Sequence, residues 1–482
     1  MRRLKTALAL TLALLTGACG GGDGGGDVIT QAERAAGAEQ HPRLLAEFGG
    51  AYEAPEARYV AALGEKLAGA AGLAGQCTFT LVNSDVVNAF AVPGCFIYVT
   101  RGLMAIVNSE DELASVLAHE VGHIVGDHSE RQQKRSVLRG LGVFAVGVLT
   151  QSDRLARIAG QAAGYFTLRY SRVQEYEADD RGLSYLVAAG YDPHAAADML
   201  DALTRQERFL ARTRGRDEAQ SIPEWARTHP LTENRVARAR AAAAANGVGP
   251  DDIAEREAAY LAELDGLLFG DDPQQGFVQG RRFAHPVMRI AFEAPPGFTL
   301  TNSPQAILLE GPDGQRGEFA GGPLPGGDLE AYASALLSQT LGGAPSQVGP
   351  PARILANGLP AIVVPAEVQT EGGAVSLLAA VYDGGRGDAY HFVMVSAPNA
   401  PPSPALADLF GSFRILSPEQ AATLRPRVLR TVRAGPGDTA ERLAALMATD
   451  HPLDSFLMLN ARTADQPIRP GELLKIVTFA QR

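Results

Sequence analysis

Leu113-Ala114-Ser115-Val116-Leu117-Ala118-His119-Glu120-Val121-Gly122-His123-Ile124-Val125 is the stretch from which the rest of the chain is read. It predicts a mostly apolar helix with two histidines one turn apart and a glutamate between them. Positions i and i+4 share a helix face, so His119 and His123 can offer two imidazole nitrogens to one ion, with Glu120 beside them. The spacing is H-E-x-x-H, a pattern in which the histidines hold zinc and the glutamate is a general base in hydrolysis.

A second helical stretch runs through Leu168-Arg169-Tyr170-Ser171-Arg172-Val173-Gln174-Glu175-Tyr176-Glu177-Ala178-Asp179, where Glu175 and Asp179 are again one turn apart. Two neutral nitrogens and one carboxylate make a three-ligand site with an open fourth position, the arrangement of a working zinc centre. Asp179 is placed to accept the spare N–H of His119 and fix its tautomer. Glu177 and Asp180 read as a solvated helix face.

Five segments then carry a resemblance. They are Val87-Asn88-Ala89-Phe90-Ala91-Val92-Pro93-Gly94, Asp111-Glu112-Leu113-Ala114, His119 to His123, Ser171 to Asp179, and Thr228-His229-Pro230 through Arg235. In this order they resemble the HtpX/BepA-type zinc metalloproteases, a group that includes the CAAX prenyl proteases, and the similarity spans residues 31–245. The resemblance implies a zinc metalloendopeptidase with one Zn2+ per chain, held by His119, His123 and Glu175. It makes Glu120 the catalytic base and puts Asp179, His128 and Arg235 behind the ligands. Asn88 and Ala89 fall on the edge strand that holds substrate backbone in that family. His229 is implied near the metal, where a neutral imidazole in the open position excludes water and keeps the enzyme latent, and a displaced one stabilises the oxyanion. Its other reading is structural, and His128 is equally readable as a helix end. Gly215 to Ile222, polar and just upstream, reads as a lid.

Two departures stand out. Cys95 replaces a second glycine after Gly94, so the hairpin there is expected to be pinned through Cys77 instead of by a tight turn. No 34-residue period follows the first domain, so recruitment of substrate by tetratricopeptide repeats is not expected.

The chain has 482 residues, 46% of them hydrophobic and 20% charged, which fits several globular domains. A net charge of -11 argues against nucleic acid as a partner, because phosphate binding needs a basic face. Residues 1–19 carry Arg2, Arg3 and Lys5, an apolar run from Ala7 to Leu15, and then Thr16-Gly17-Ala18-Cys19. This is an export signal, too short to span a membrane, and it resembles a bacterial lipobox with Cys19 as the acylated residue. Residues 20–30 then form a glycine-rich tether. The implied place is the periplasmic face of the bacterial cell envelope, as an outer-membrane lipoprotein held to the membrane through Cys19. In that oxidising compartment Cys77 and Cys95 form a disulfide or remain two free thiols, with the disulfide favoured. The apolar run from Val137 to Leu149 reads as a buried or membrane-facing segment, shorter than a span.

The fold class expected is multidomain. Residues 31–268 form a mainly α (α+β) gluzincin-type metalloprotease domain, with helices between Gln31 and Ala71, a strand at Cys77–Val82 and a hairpin over Val86–Thr100. Gly270-Asp271-Asp272-Pro273 is a break. Residues 275–417 alternate apolar runs with Gly/Pro turns, plus one helix over Asp328–Leu341. They form an α+β domain that loosely resembles the PsbP/Mog1-like sandwich, with His285 and His391 as structural residues. Residues 425–482 read strand, helix, helix, strand and resemble a LysM module, which brings peptidoglycan in as a partner beside protein or peptide substrates. Two rival functions stand against the protease: an envelope binding or chaperone protein with a capped, inactive metal site, and a cell-wall-associated scaffold.

Overall fold

The helix around the two histidines spans Glu110–Val125 (α4). Ser109 caps it by accepting the Glu112 N–H, and Glu110, Asp111 and Glu112 place negative charge against the positive end of the helix dipole. Every residue from Asp111 to His123 is buried, so α4 is a central rod and not a surface helix. The computed structural model describes residues 29–132, 170–213, 225, 228–230, 233–246, 253–370, 373–396 and 403–481. Cys19, residues 20–28 of the expected tether, the Val137–Leu149 segment and the Gly215–Ile222 stretch lie outside the described residues, whereas Ile29 is buried in the core and Thr30 caps the first helix, so the tether does not extend to them.

Ahead of α4 come α1 (Gln31–Glu47) and α2 (Pro55–Ala70), and then strands β1 (Thr78–Val82), β2 (Ala89–Val92) and β3 (Phe96–Thr100). The sheet order is β1-β3-β2, with β1 parallel and β2 antiparallel to β3, so β2 is an edge strand. At the β2–β3 turn Gly94 and Cys95 have φ of 86° and 61°, both left-handed. Cys77 and Cys95 are joined by a disulfide. The sequence suggested a pin in place of a tight turn; the hairpin has both, because Cys95 adopts the left-handed conformation and also reaches across to the start of β1.

Helix α3 (Arg101–Ile106) links β3 to α4, and after it come α5 (Arg172–Ala188), α6 (Ala195–Thr213), α7 (Glu233–Asn246) and α8 (Ile253–Glu263). Helices α4 and α5 approach closely because both carry glycine where they meet. A Cβ on Gly122 would lie 2.8 Å from the Ala178 carbonyl oxygen, and one on Gly182 would lie 3.0 Å from the His119 nitrogen. That proximity lets a glutamate on α5 reach histidines on α4.

The middle region holds an eight-stranded antiparallel sheet between Thr299 and Val395 and a four-stranded one between Phe277 and Ile415. One face packs Leu336 and Leu337 of the Leu329–Leu341 helix against Ile362, Val381 and Val393. The other gathers Phe292, Phe319, Phe392, Phe410 and Phe413.

The C-terminal order is as read: strand Arg427–Arg433, helices Ala440–Ala444 and Pro452–Leu459, strand Leu473–Phe479. Its expected separateness is corrected by the packing. Strand β4 (Leu268–Phe269), which follows α8, pairs antiparallel with Arg427 and Val428. Leu429, Phe456, Leu459 and Ile476 belong to the same apolar core as Leu103, Leu117, Leu203 and Tyr260. A glycine- and proline-rich break in the chain is therefore not a break in the core. Among the described residues no helix is long and apolar enough to cross a membrane.

Candidate metal centre

His119, His123, Glu175 and His229 converge in the interior, with one donor atom from each within 4.8 Å of all the others. Nε2 of His123 is 3.0 Å from Nε2 of His119, and Nδ1 of His229 is 3.3 Å from the latter. Glu175 brings Oε1 to 3.1 Å of His229 Nδ1 and 3.5 Å of His123 Nε2. All four residues are buried. Three imidazoles crowded edge to edge around one carboxylate gain little from one another. They match what a tetrahedral cation needs, so this donor set fits zinc.

Electrostatics favour the ligating protonation states. Burial, reinforced by His119 and His229, pushes His123 well below the usual imidazole range, leaving a neutral nitrogen lone pair. Burial alone would raise Glu175, but His229 and Arg235 outweigh it and hold the group below its ordinary value. Glu120 is fully buried, and neither carboxylate oxygen has a hydrogen-bond partner among the described residues. Burial carries its carboxyl up to about 7, with His119 pulling down and Glu175 pushing up. A buried carboxylate with idle oxygens beside four donors marks where something from outside must sit.

Around the donors, Asp179 Oδ1 lies 3.0 Å from His119 Nδ1, so Nε2 is the nitrogen turned to the cluster. Arg235 grips Asp179 through Nε and Nη2 at 2.8 and 2.7 Å, and its Nη1 is 2.8 Å from Glu175. Burial opposes ionisation of Asp179, yet His119 and Arg235 hold it well below the carboxylate range. His128 Nδ1 stands 2.8 Å from His123 Nδ1, and its other nitrogen is 3.3 Å from Glu177. Glu177, read from sequence as an idle surface acid, thus backs a donor histidine through His128.

Asn88 precedes the edge strand. Its backbone N–H donates to Thr100 Oγ1, while its side-chain oxygen and nitrogen are buried without a partner among the described residues. Ala89 pairs with Val99 on the inner side of the sheet, leaving the outer edge of β2 without a strand among the described residues, though the Trp225 N–H donates to the Val87 carbonyl just ahead of it. Sequence reasoning missed two aromatics. Tyr170 stacks on His123 with ring centroids 4.0 Å apart, and Trp225 stacks on His229 at 4.7 Å. As the single tryptophan, four residues before the His-Pro pair, Trp225 was the available signal.

An H-E-x-x-H helix, a carboxylate as third ligand from a second helix, and a small sheet with an edge strand define a zinc-peptidase type of site. Residues 54–243 match the model of Peptidase family M48, so this part of the chain is similar to the zinc metalloproteases of that family. The chain is 32% identical over 226 residues to the beta-barrel assembly-enhancing protease of Yersinia pestis, covering 45% of this chain and 44% of that one. It is 30% identical over 155 residues to the mitochondrial metalloendopeptidase OMA1 of Arabidopsis thaliana, covering 32% and 29%. The chain thus spans less than half the length of either relative. The solution structure of cyanobacterial PsbP from Synechocystis aligns at 13% identity over 30% of this chain and 98% of that one. Its TM-score of 0.23 carries no weight for the fold of the middle region.

Proposed function

We propose that the protein is a zinc-dependent metalloendopeptidase of the bacterial cell envelope that cleaves misfolded or misassembled envelope proteins. The observation that carries this is the pairing of four buried donors with a glutamate neither of whose oxygens accepts a hydrogen bond among the described residues, Oε1 lying 3.7 Å from His229 Nε2. His119, His123 and Glu175 would hold the ion, and zinc in that place would supply Lewis acidity toward water and a peptide carbonyl. Extended substrate adds to the free edge of β2, where Asn88 and Ala89 lie, and main-chain hydrogen bonds fix its register. Glu120 takes the proton from the attacking water and returns it to the leaving amide nitrogen. Asp179, held by Arg235, keeps His119 in the ligating tautomer, and His128 does the same for His123.

His229 fills the fourth side of the donor cluster, so the arrangement described is latent. Replacing Glu120 by Gln is expected to keep zinc and lower peptide cleavage by about 10²–10⁴-fold; undiminished turnover would refute the mechanism. His229→Ala should raise cleavage of an unfolded outer-membrane protein. A binding protein or scaffold with a capped site should show no such gain.

The relatives' names speak of a beta-barrel assembly-enhancing protease and a mitochondrial metalloendopeptidase. Substrates of the envelope class are carried over from the first as part of the proposal. Acylation at Cys19, the outer-membrane location and a glycan-gripping LysM role for 425–482 also belong to the proposal, and rest on the sequence alone. Radiolabelled palmitate incorporation lost in Cys19→Ala tests the anchor, and pelleting with purified peptidoglycan tests the glycan role.

A further inference from the structure

The first turn of α4 is gripped from several directions. Glu110 accepts hydrogen bonds from Tyr59 and Tyr191 at 2.7 and 2.8 Å. Asp111 accepts the Asp192 N–H at 2.7 Å and pairs with Arg256 at 2.8 Å. Glu112 accepts the Asn108 N–H at 3.0 Å, and it faces a cation from the far end of the chain. That cation is Lys475, on the last strand, 1% exposed. Its Nζ donates to the carbonyls of Ala105 and Val107, both at 2.8 Å, so the ammonium closes the corner where α3 ends and α4 is about to begin.

Lysine is almost never buried without a purpose, since taking an ammonium out of water costs several kcal/mol. The site is built to hold it. Asn460 Oδ1 accepts the Lys475 N–H at 2.7 Å and Asn460 Nδ2 donates to the Lys475 carbonyl at 2.8 Å, which ties this point of the strand to the helix ahead of it. Glu257 on α8 and Arg205 on α6 complete the charges facing Lys475. Replacing such a buried charge together with its partners by apolar groups is often neutral for stability, so stability alone does not account for a lysine here. What the ammonium adds is direction: two carbonyls fix where it sits, in the electrostatic field of the Glu112 carboxylate.

Glu112 and His119 are seven residues apart, two turns on the same face and roughly 10 Å along the axis. Helix α4 is packed on all sides, so displacing its first turn displaces His119 and Glu120 with it. We propose that Lys475 is a positioning residue for the metal-binding helix, and that the C-terminal βααβ segment is thereby a working part of the peptidase and not a separable module. This rests on the peptidase reading of the α4 site.

The test uses the full chain in a His229→Ala background, with Lys475→Met, Glu112→Gln and the double variant. Two readouts are taken below the melting temperature: the visible spectrum of the cobalt(II)-substituted protein, which needs no turnover, and steady-state cleavage of an unfolded protein. Lys475→Met is expected to shift the cobalt spectrum and lower kcat roughly tenfold with KM unchanged. Adding Glu112→Gln, which removes the stranded carboxylate, should restore more than half of that loss. A spectrum and kcat equal to the parent's, with only the Tm lowered, overturns the proposal and leaves Lys475 a structural residue. Should Lys475→Met not fold, Glu112→Gln alone decides: a shifted spectrum and a fall of about threefold in kcat are expected, and no change in either overturns it. Failure of the peptidase reading looks different, because the parent itself then binds no cobalt or does not cleave.

Discussion

The two ends of α4 hold two buried polar clusters that solve the same problem in opposite ways. At the first turn, acids meet partners within the chain: Tyr59 and Tyr191 for Glu110, the Asp192 N–H and Arg256 for Asp111, and the Asn108 N–H for Glu112. Two to three turns later, three imidazoles and Glu175 crowd together, and Glu120 keeps two idle oxygens. Buried polar groups in a folded protein are paired. The closed cluster therefore fixes the helix in place, and the open one shows where the chain expects a cation and a water it does not itself supply. The difference teaches that several metal-type donors converging on one point, beside an acid with no hydrogen-bond partner among the described residues, separate a reactive site from a structural one.

Removing the cation should separate the two ends most sharply. A chelator is expected to lower stability by about 4 kcal/mol relative to protein kept at a thousandfold excess of zinc over its Kd, with recovery on readdition. Equal melting curves with and without zinc would show that the open cluster is not a metal site. Gly182→Val, placed where a Cβ already lies 3.0 Å from the His119 nitrogen, should prise α5 from α4. A loss of about 3 kcal/mol is expected, together with weaker zinc retention in a chelator competition. If zinc is retained as before, the close helix approach is not what sets the donor geometry.

Cys77→Ser with Cys95→Ser opens a loop of 18 residues in sequence separation, and neither cysteine belongs to either polar cluster. Denaturant unfolding should show a loss of up to about 3 kcal/mol while zinc affinity holds. A simultaneous fall in zinc affinity would mean that the sheet and the open cluster are not independent. The smallest effect is expected at Arg353 and Glu330, an exposed pair at 2.7 Å in the middle region. A double-mutant cycle there should give less than about 0.5 kcal/mol of coupling. A value near that of a buried pair would erase the contrast between exposed and enclosed charge on which the reading of α4 relies.

Much of the metal end was legible because its spacing is local. His119 and His123, like Glu175 and Asp179, are four residues apart, and 3.6 residues per turn puts each pair on one face wherever the helix ends up. The β2–β3 hairpin and the strand-helix-helix-strand order of the last fifty residues were legible for the same reason, from alternation and turn residues. The corner closed by Lys475 was not. Lysine in an alternating strand reads as a solvent-facing residue, and nothing in its neighbourhood names Ala105 or Val107 as its partners. Nor did Gly270 to Pro273 disclose that the core continues past them into Leu429 and Ile476, since a turn marks where the backbone bends and not where burial stops. Trp225 and Tyr170, laid on two of the donor histidines, are stacking partners that no periodicity encodes.

By itself, then, the amino-acid order determined the chemistry on offer: two imidazoles and a base on one helix, a carboxylate on another, and the strands that flank them, all set by repeats shorter than a turn or two. Only the folded chain decided that these meet in one buried place, that His229 closes the fourth side, and that a lysine some 370 residues downstream of its partners braces the same helix. Such contacts depend on how the whole core packs, and packing is a property of the assembled layers that no local spacing carries.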